Sequence, residues 1–233
     1  MHARPWCDAG RSRSVLAVPV ALLLILIVGS AFRVIGLDAG RPFVYHPDEG
    51  VVVKAAMGMV ATGDPNPHTF LYPSLLFDLM AALVAIGHGL FGLPLTTDQS
   101  WLFVTEALPE QFDAYVAGRW LIAAIGIATI ALTFIAGRRL GGPLAGLLAA
   151  AMVAVAPVHV VSSGAVTTDV PVTFFGVLVL LATIRALDAP ERPHWWIIAA
   201  IGVGLATSSK WNGLALGIVP TVAYLASMRE PPG

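Results

Sequence analysis

Two adjacent acids, Asp48 and Glu49, stand in the run Tyr45-His46-Pro47-Asp48-Glu49-Gly50. By type a carboxylate is a candidate for acid–base chemistry. Pro47 biases His46 toward extended backbone. Residues 51–61 have helical character, so the acids fall at or near a helix start, where unpaired N–H groups and the macrodipole favour an ionised carboxylate. A further acid, Asp169, sits in Val166-Thr167-Thr168-Asp169-Val170-Pro171, two residues before a proline that opens an apolar run. Both Asp48 and Asp169 also have a plainer reading as helix caps, since Asp is a favoured cap. The neighbouring acid and His46 tilt Asp48 toward chemistry, whereas capping explains Asp169 adequately. Two cations near the ends of apolar runs, Arg119 and Lys210, are placed either to meet an anionic headgroup or to snorkel to water. His159 reads as a packed or interfacial residue rather than a ligand. The single cysteine, Cys7, cannot form an intrachain disulfide, and no His/Cys cluster has metal-ligand spacing.

The elements that position these residues are membrane helices. With 57% hydrophobic and 12% charged residues, the chain has too little polar surface to cover a soluble globule, where charge approaches a quarter. A net charge of −1 without a basic stripe argues against a nucleic-acid partner. Residues 15–32, 118–136, 143–161 and 170–187 each suit one crossing. The run 195–228 is interrupted at Ser208-Ser209-Lys210-Trp211-Asn212-Gly213 and reads as two helices joined by a tight turn. The fold class is therefore an all-α multi-pass bundle of about six spans. The apolar stretch 70–91 contains Pro73, Asp78 and His88, and orientation decides its place. Arg4, Arg11 and Arg13 before the first span, and Arg138-Arg139 after the second, belong on the cytoplasmic side. Two crossings satisfy that rule and three do not, so 70–91 is expected as a juxtamembrane or re-entrant helix on the outer face. Arg185, Arg192 and Arg229 then fall inside, while Arg33, Arg41 and Lys54 fall outside against the rule.

This topology makes 33–117 one long outer segment, holding Asp38, Asp48, Glu49, Asp64, Asp78, Asp98, Glu106, Glu110 and Asp113. Loops of that length between elements are more often functional than not. The first apolar run has an alternative reading as a signal peptide, with a basic leader and Gly29-Ser30-Ala31 near its end.

The order of features resembles the amino-terminal half of the GT-C glycosyltransferases that use lipid-phosphate-linked sugars, the protein O-mannosyltransferase and lipid A aminoarabinose transferase relatives. It is carried by Asp48-Glu49, Tyr72-Pro73-Ser74-Leu75, Arg119, Gly137-Arg138-Arg139-Leu140-Gly141-Gly142, Ala156-Pro157, Asp169, and Gly204-Leu205-Ala206 leading to Lys210-Trp211-Asn212-Gly213. The resemblance implies a single transmembrane domain over 1–233 that transfers a sugar from a polyprenyl-phosphate donor to an acceptor hydroxyl at the extracytoplasmic face, with inversion. It implies Asp48 as general base with Glu49 beside it and Asp169 as a positioning acid. Arg119 and Lys210 match positions that could hold the donor phosphate, and His46, His68 and Tyr72 are further substrate-binding candidates. Beyond the lipid-linked donor no cofactor is implied, and a divalent metal is left open. At 68–74 the chain departs from many relatives, which carry a basic residue there; His68 stands alone. Relatives continue through further spans, so the chain is expected either to be truncated or to need a partner. The competing readings are a non-catalytic scaffold of the same fold and a secondary transporter. The transporter is disfavoured because the carboxylates lie in loops rather than at mid-span.

Overall fold

The computed structural model describes residues 8–41, 43–97 and 111–228, with the backbone alone for residues 8–15. Arg4, Cys7, Asp98, Glu106, Glu110 and Arg229 lie outside the described residues. The rest is all-α: α1 Asp8–Val34, α2 Pro47–Thr62, α3 Leu75–Phe91, α4 Phe112–Val155, α5 Pro157–Ser163, α6 Asp169–Asp188, α7 His194–Ser209, a 3-10 segment Trp211–Gly217, and α8 Ile218–Ser227.

Leu16–Val34 of α1, α4 and α6 are the three helices among the described residues that are long and apolar enough to cross a membrane unaided. At 44 residues, α4 is two arms. Gly141 and Gly142 are non-helical, and Gly142 has φ 80°, a conformation open to glycine at little cost; Pro143 then opens the return arm. The arms run back on each other closely enough that a Cβ on Gly146 would lie 2.7 Å from the Phe134 carbonyl oxygen. Ile130 and Phe134 of one arm pack on Ala150 and Ala154 of the other. The expected spans 118–136 and 143–161 are thus the two sides of one hairpin. The second side breaks at Ala156, whose backbone is extended, before α5.

That break explains Arg33. Pro157 has no N–H to give the Val153 carbonyl, and a bare carbonyl in an apolar setting costs several kcal/mol. The Arg33 guanidinium donates to the carbonyls of Val153 (2.9 Å), Ala154 (3.0 Å) and its own helix's Gly29 (2.8 Å), and it meets His159 Nδ1 at 2.9 Å. Sequence reasoning placed Arg33 in the outer loop against the charge rule. The structure buries it at 1% exposure as a clamp between α1 and the α4–α5 junction.

A second hairpin follows. From α6 the chain returns as α7, and Lys210, with φ −152° and ψ 136°, ends that helix. The 3-10 segment and α8 then run back along α7: Gly213 lies against the Ala206 backbone, and Trp196 meets Tyr224 edge to face at 5.3 Å. The expected pair of helices with a tight turn is present, although its return arm begins as 3-10.

Across one end of these hairpins lie α2 and α3. Residues Glu49 to Met59 of α2 are buried on every side, so α2 is the centre of a cap rather than a surface helix. Its valines and Met57 pack with Phe77, Met80 and Val84 of α3, Phe112, Tyr115 and Ile122 of α4, and Val166 and Val170 at the start of α6. Gly118 admits the closest approach, since a Cβ there would stand 2.7 Å from Val166 and 2.9 Å from the Met80 sulfur. Helix α3 meets α4 near its first turns, at Gly118 and around a cavity of about 370 Å³ that includes Asp113 and Ala117.

Candidate active site

The expectation that Asp48 or Glu49 begins a helix is met with a different cap. His46 is the N-cap of α2, extended at φ −101° and ψ 122°, and its Nδ1 accepts the Asp48 N–H at 3.3 Å. The Asp48 Oδ2 lies 3.9 Å from the same nitrogen, beyond hydrogen-bond distance. The capping role therefore belongs to His46, and the Asp48 side chain, 22% exposed, is left free for other contacts. Asp169 is likewise not the cap. Thr168 takes that position without a side-chain bond, and the Asp169 carboxylate pairs with Lys210 Nζ across 41 residues of sequence.

Consecutive helical residues point about 100° apart, and this separates Asp48 from Glu49. Glu49 turns inward to 1% exposure. Its Oε1 accepts from Arg119 Nε at 2.8 Å and from the Val166 N–H at 2.9 Å, and its Oε2 accepts from the second guanidinium nitrogen at 2.8 Å. Arg119 is also spoken for elsewhere, donating to the carbonyls of Leu37 (2.9 Å) and Ala39 (3.4 Å) and lying over the Phe112 ring at 5.2 Å. One clasp thereby ties the α1–α2 connection, α2, α4 and the α5–α6 loop. Arg119 does not snorkel to water; it is 4% exposed.

Asp48 turns instead toward Tyr72. Burial, then the Asp48 carboxylate beside it and Asp169 farther off, push the Tyr72 hydroxyl well above the usual phenol range. The structure so brings together Asp48, Tyr72, Asp169 and Lys210 from four segments, with His46 fixing the start of α2 beneath them. Lys210 and Asp169 are partly exposed, at 31% and 51% for their side chains, and the ammonium keeps donors beyond the one given to Asp169. His68 is not drawn into that cluster by any contact described. It has φ 53° and binds Asp64 at 2.9 Å in an exposed turn. Sequence reasoning missed the clasp, although an arginine inside an apolar run, Arg119, and an acid opening one, Glu49, were its visible signal. Among the described residues no group of three or more His, Cys, Asp or Glu side chains is arranged to hold a metal ion.

A helical membrane fold with a carboxylate cluster at one end of the bundle defines a class, and comparison with known proteins narrows it. Residues 112–230 match the family of dolichyl-phosphate-mannose-protein mannosyltransferases, and the chain belongs to that family. The match spans α4 to α8 and so includes Arg119, Asp169 and Lys210, while Asp48, Glu49 and Tyr72 precede it. Among solved structures the fold is similar to the S. cerevisiae protein O-mannosyltransferase Pmt1-Pmt2 complex bound to the sugar donor, at a TM-score of 0.67 and 20% identity over 91% of this chain. The chain spans 29% of the length of that neighbour. A search of curated proteins gave no match.

Proposed function

We propose that this protein is a membrane glycosyltransferase that moves a sugar from a polyprenyl-phosphate donor to an acceptor hydroxyl, with inversion at the anomeric carbon. The observation that carries this reading is the division of the acidic pair: Glu49 is consumed in a buried clasp, while the adjacent Asp48 is left accessible beside Tyr72 and within the field of Asp169. In this reading Asp48 takes the acceptor proton as the hydroxyl attacks, and the bond to the lipid phosphate breaks on the opposite face. The leaving phosphate needs charge stabilisation rather than a proton, and Lys210, oriented by Asp169, supplies it. Tyr72, kept protonated by its surroundings, donates a hydrogen bond to Asp48 or to a sugar hydroxyl. Glu49 and Arg119 position the site without touching substrate. Family membership, and the donor bound in the structural neighbour, support the class of reaction.

Charge supports the sidedness of this reading. Arg138, Arg139 and Arg185 gather at the end of the bundle opposite Asp48 and Asp169, and the positive-inside rule puts that end in the cytoplasm. The acid cluster then faces the extracytoplasmic side, with α3 lying along that face and the amino terminus inside. Because the neighbour is a two-protein complex and much longer, a partner or further chain is assigned the acceptor contacts.

The test is transfer from a polyprenyl-phosphate sugar to a hydroxyl acceptor in membranes carrying the protein, with the anomeric configuration of the product determined. Loss of about two to four orders of magnitude in Asp48→Asn, with inversion in the wild type, is the expected result. Full transfer by Asp48→Asn, or retention of configuration, contradicts it.

A further inference from the structure

At the end of the bundle away from the acid cluster, the α4 turn and the last turns of α6 border a half-open cavity of about 520 Å³ lined by Phe134, Ile135, Arg138, Arg139 and Arg185. Three guanidiniums around one cavity repel one another unless something negative sits among them. The described residues supply little. Asp188 pairs with Arg139 at 3.5 Å. Arg138 makes no hydrogen bond or ion pair among the described residues. Arg185 lies over the Trp195 ring at 5.3 Å, and its Nε is buried without a partner. A positive-inside bias alone asks only for cations in water near the helix ends. It does not ask that two elements more than 40 residues apart converge their arginines on one cavity.

We propose that this cavity binds a phosphate group, supplied by the headgroup of an anionic phospholipid of the leaflet on that side. Guanidinium forks match two phosphate oxygens at once and give up their hydration more readily than an ammonium does, and basic pockets between spans on the cytoplasmic side suit such headgroups. The volume is in the range of small-molecule sites, about 300–1,000 Å³. The surroundings favour a lipid over a free ion: Leu140, next to Arg139 in the chain, and Leu144, just past the α4 turn, are exposed apolar residues at this end of the bundle, and Trp195, under Arg185, is of the type that settles at the headgroup level. An occupied site bridges the α4 turn to the end of α6. It does not depend on the glycosyltransferase reading.

The experiment uses the full protein in neutral detergent, following thermal unfolding and native mass spectra with phosphatidylglycerol, phosphatidylcholine or inorganic phosphate at matched ionic strength. Phosphatidylglycerol is expected to raise the midpoint by several degrees in a saturable way and to remain bound in the spectra, with phosphatidylcholine inert. Arg138→Gln and Arg185→Gln weaken that binding at least tenfold. Should either variant fold poorly, Asp188→Asn serves instead: it frees Arg139 and is expected to tighten binding several-fold. If inorganic phosphate gives the whole shift and loses it in the same variants, the phosphate site stands and the lipid source is overturned. A phosphatidylglycerol effect equal in wild type, Arg138→Gln and Asp188→Asn overturns the site.

Discussion

Asp48 and Glu49 are neighbours in sequence and opposites in environment. Glu49 is sealed between α2, α4 and the α5–α6 loop with both oxygens satisfied, three hydrogen bonds in all. Asp48 is partly open and shares its surroundings with Tyr72, Asp169 and Lys210. The difference teaches that a pair of acids can divide its labour: one carboxylate fixes the long first loop to the bundle, so the other can stay partly open to solvent beside Tyr72. Glu49, ion-paired to Arg119 and closed off from solvent, is out of reach of a proton on an incoming hydroxyl. Asp48 is not.

The largest effect that would break this comparison lies in the clasp. Replacing Glu49 or Arg119 by Ala leaves the other charge buried and unpaired, a loss of about 3–5 kcal/mol, so the detergent-solubilised variants should unfold well below the wild type. Replacing both residues by Met should recover part of that loss, because the buried charges go together, although the Val166 N–H and the Leu37 carbonyl stay unsatisfied. A clasp of little structural weight would show in near-wild-type melting of Glu49→Ala. Next in size is Gly118→Leu, which drives a side chain into Val166 and Met80; overpacking of about 1–3 kcal/mol is expected, read as a lower melting midpoint with the cap, not the hairpins, exchanging amide hydrogens first.

On the open side, Asp169→Asn and Lys210→Gln should leave melting within about 1 kcal/mol of wild type, since the pair is partly exposed, while lowering transfer by roughly ten- to a hundredfold, chiefly through kcat if Lys210 acts on the leaving phosphate. Tyr72 sharpens the same region. Its ionisation, read as the wild-type minus Tyr72→Phe difference in phenolate absorbance, should come above the free-phenol range, and Asp48→Asn should bring it back part of the way. The sign for stability follows: a hydroxyl whose pKa is raised by folding contributes below the unfolded value, near 10, and loses that contribution as pH climbs through the folded one. The smallest effect belongs to Asp64. The Asn66 N–H and then His68 hold its carboxyl below the usual range, so the turn is favoured above about pH 4 and loosens as pH falls through the folded value; local amide exchange should register this with no change in transfer.

Much of the fold is legible in the residues. Gly141-Gly142-Pro143 announces a hairpin because few other sequences turn so tightly after an apolar run, and the interruption at Lys210 to Gly213 announces the second. The gathering of Asp48, Asp169 and Lys210 at one end also follows from counting crossings. What is not legible depends on distant partners. Nothing local tells Asp48 from Glu49, since the choice of which turns inward is made by Arg119, 70 residues on. Arg33 reads as an outer-loop cation because the carbonyls it serves are freed by a proline more than 120 residues away. His46 conceals its cap behind a residue type seldom counted among caps.

The central claim, that Asp48 is available for chemistry and Glu49 is not, is tested most directly by measuring melting and sugar transfer together in Asp48→Asn and Glu49→Gln. The account predicts that Asp48→Asn melts like the wild type and transfers at least a hundredfold more slowly, whereas Glu49→Gln loses stability and loses transfer only as far as its folded fraction falls. Unimpaired transfer by a folded Asp48→Asn, or a stable Glu49→Gln that is inactive, would contradict it.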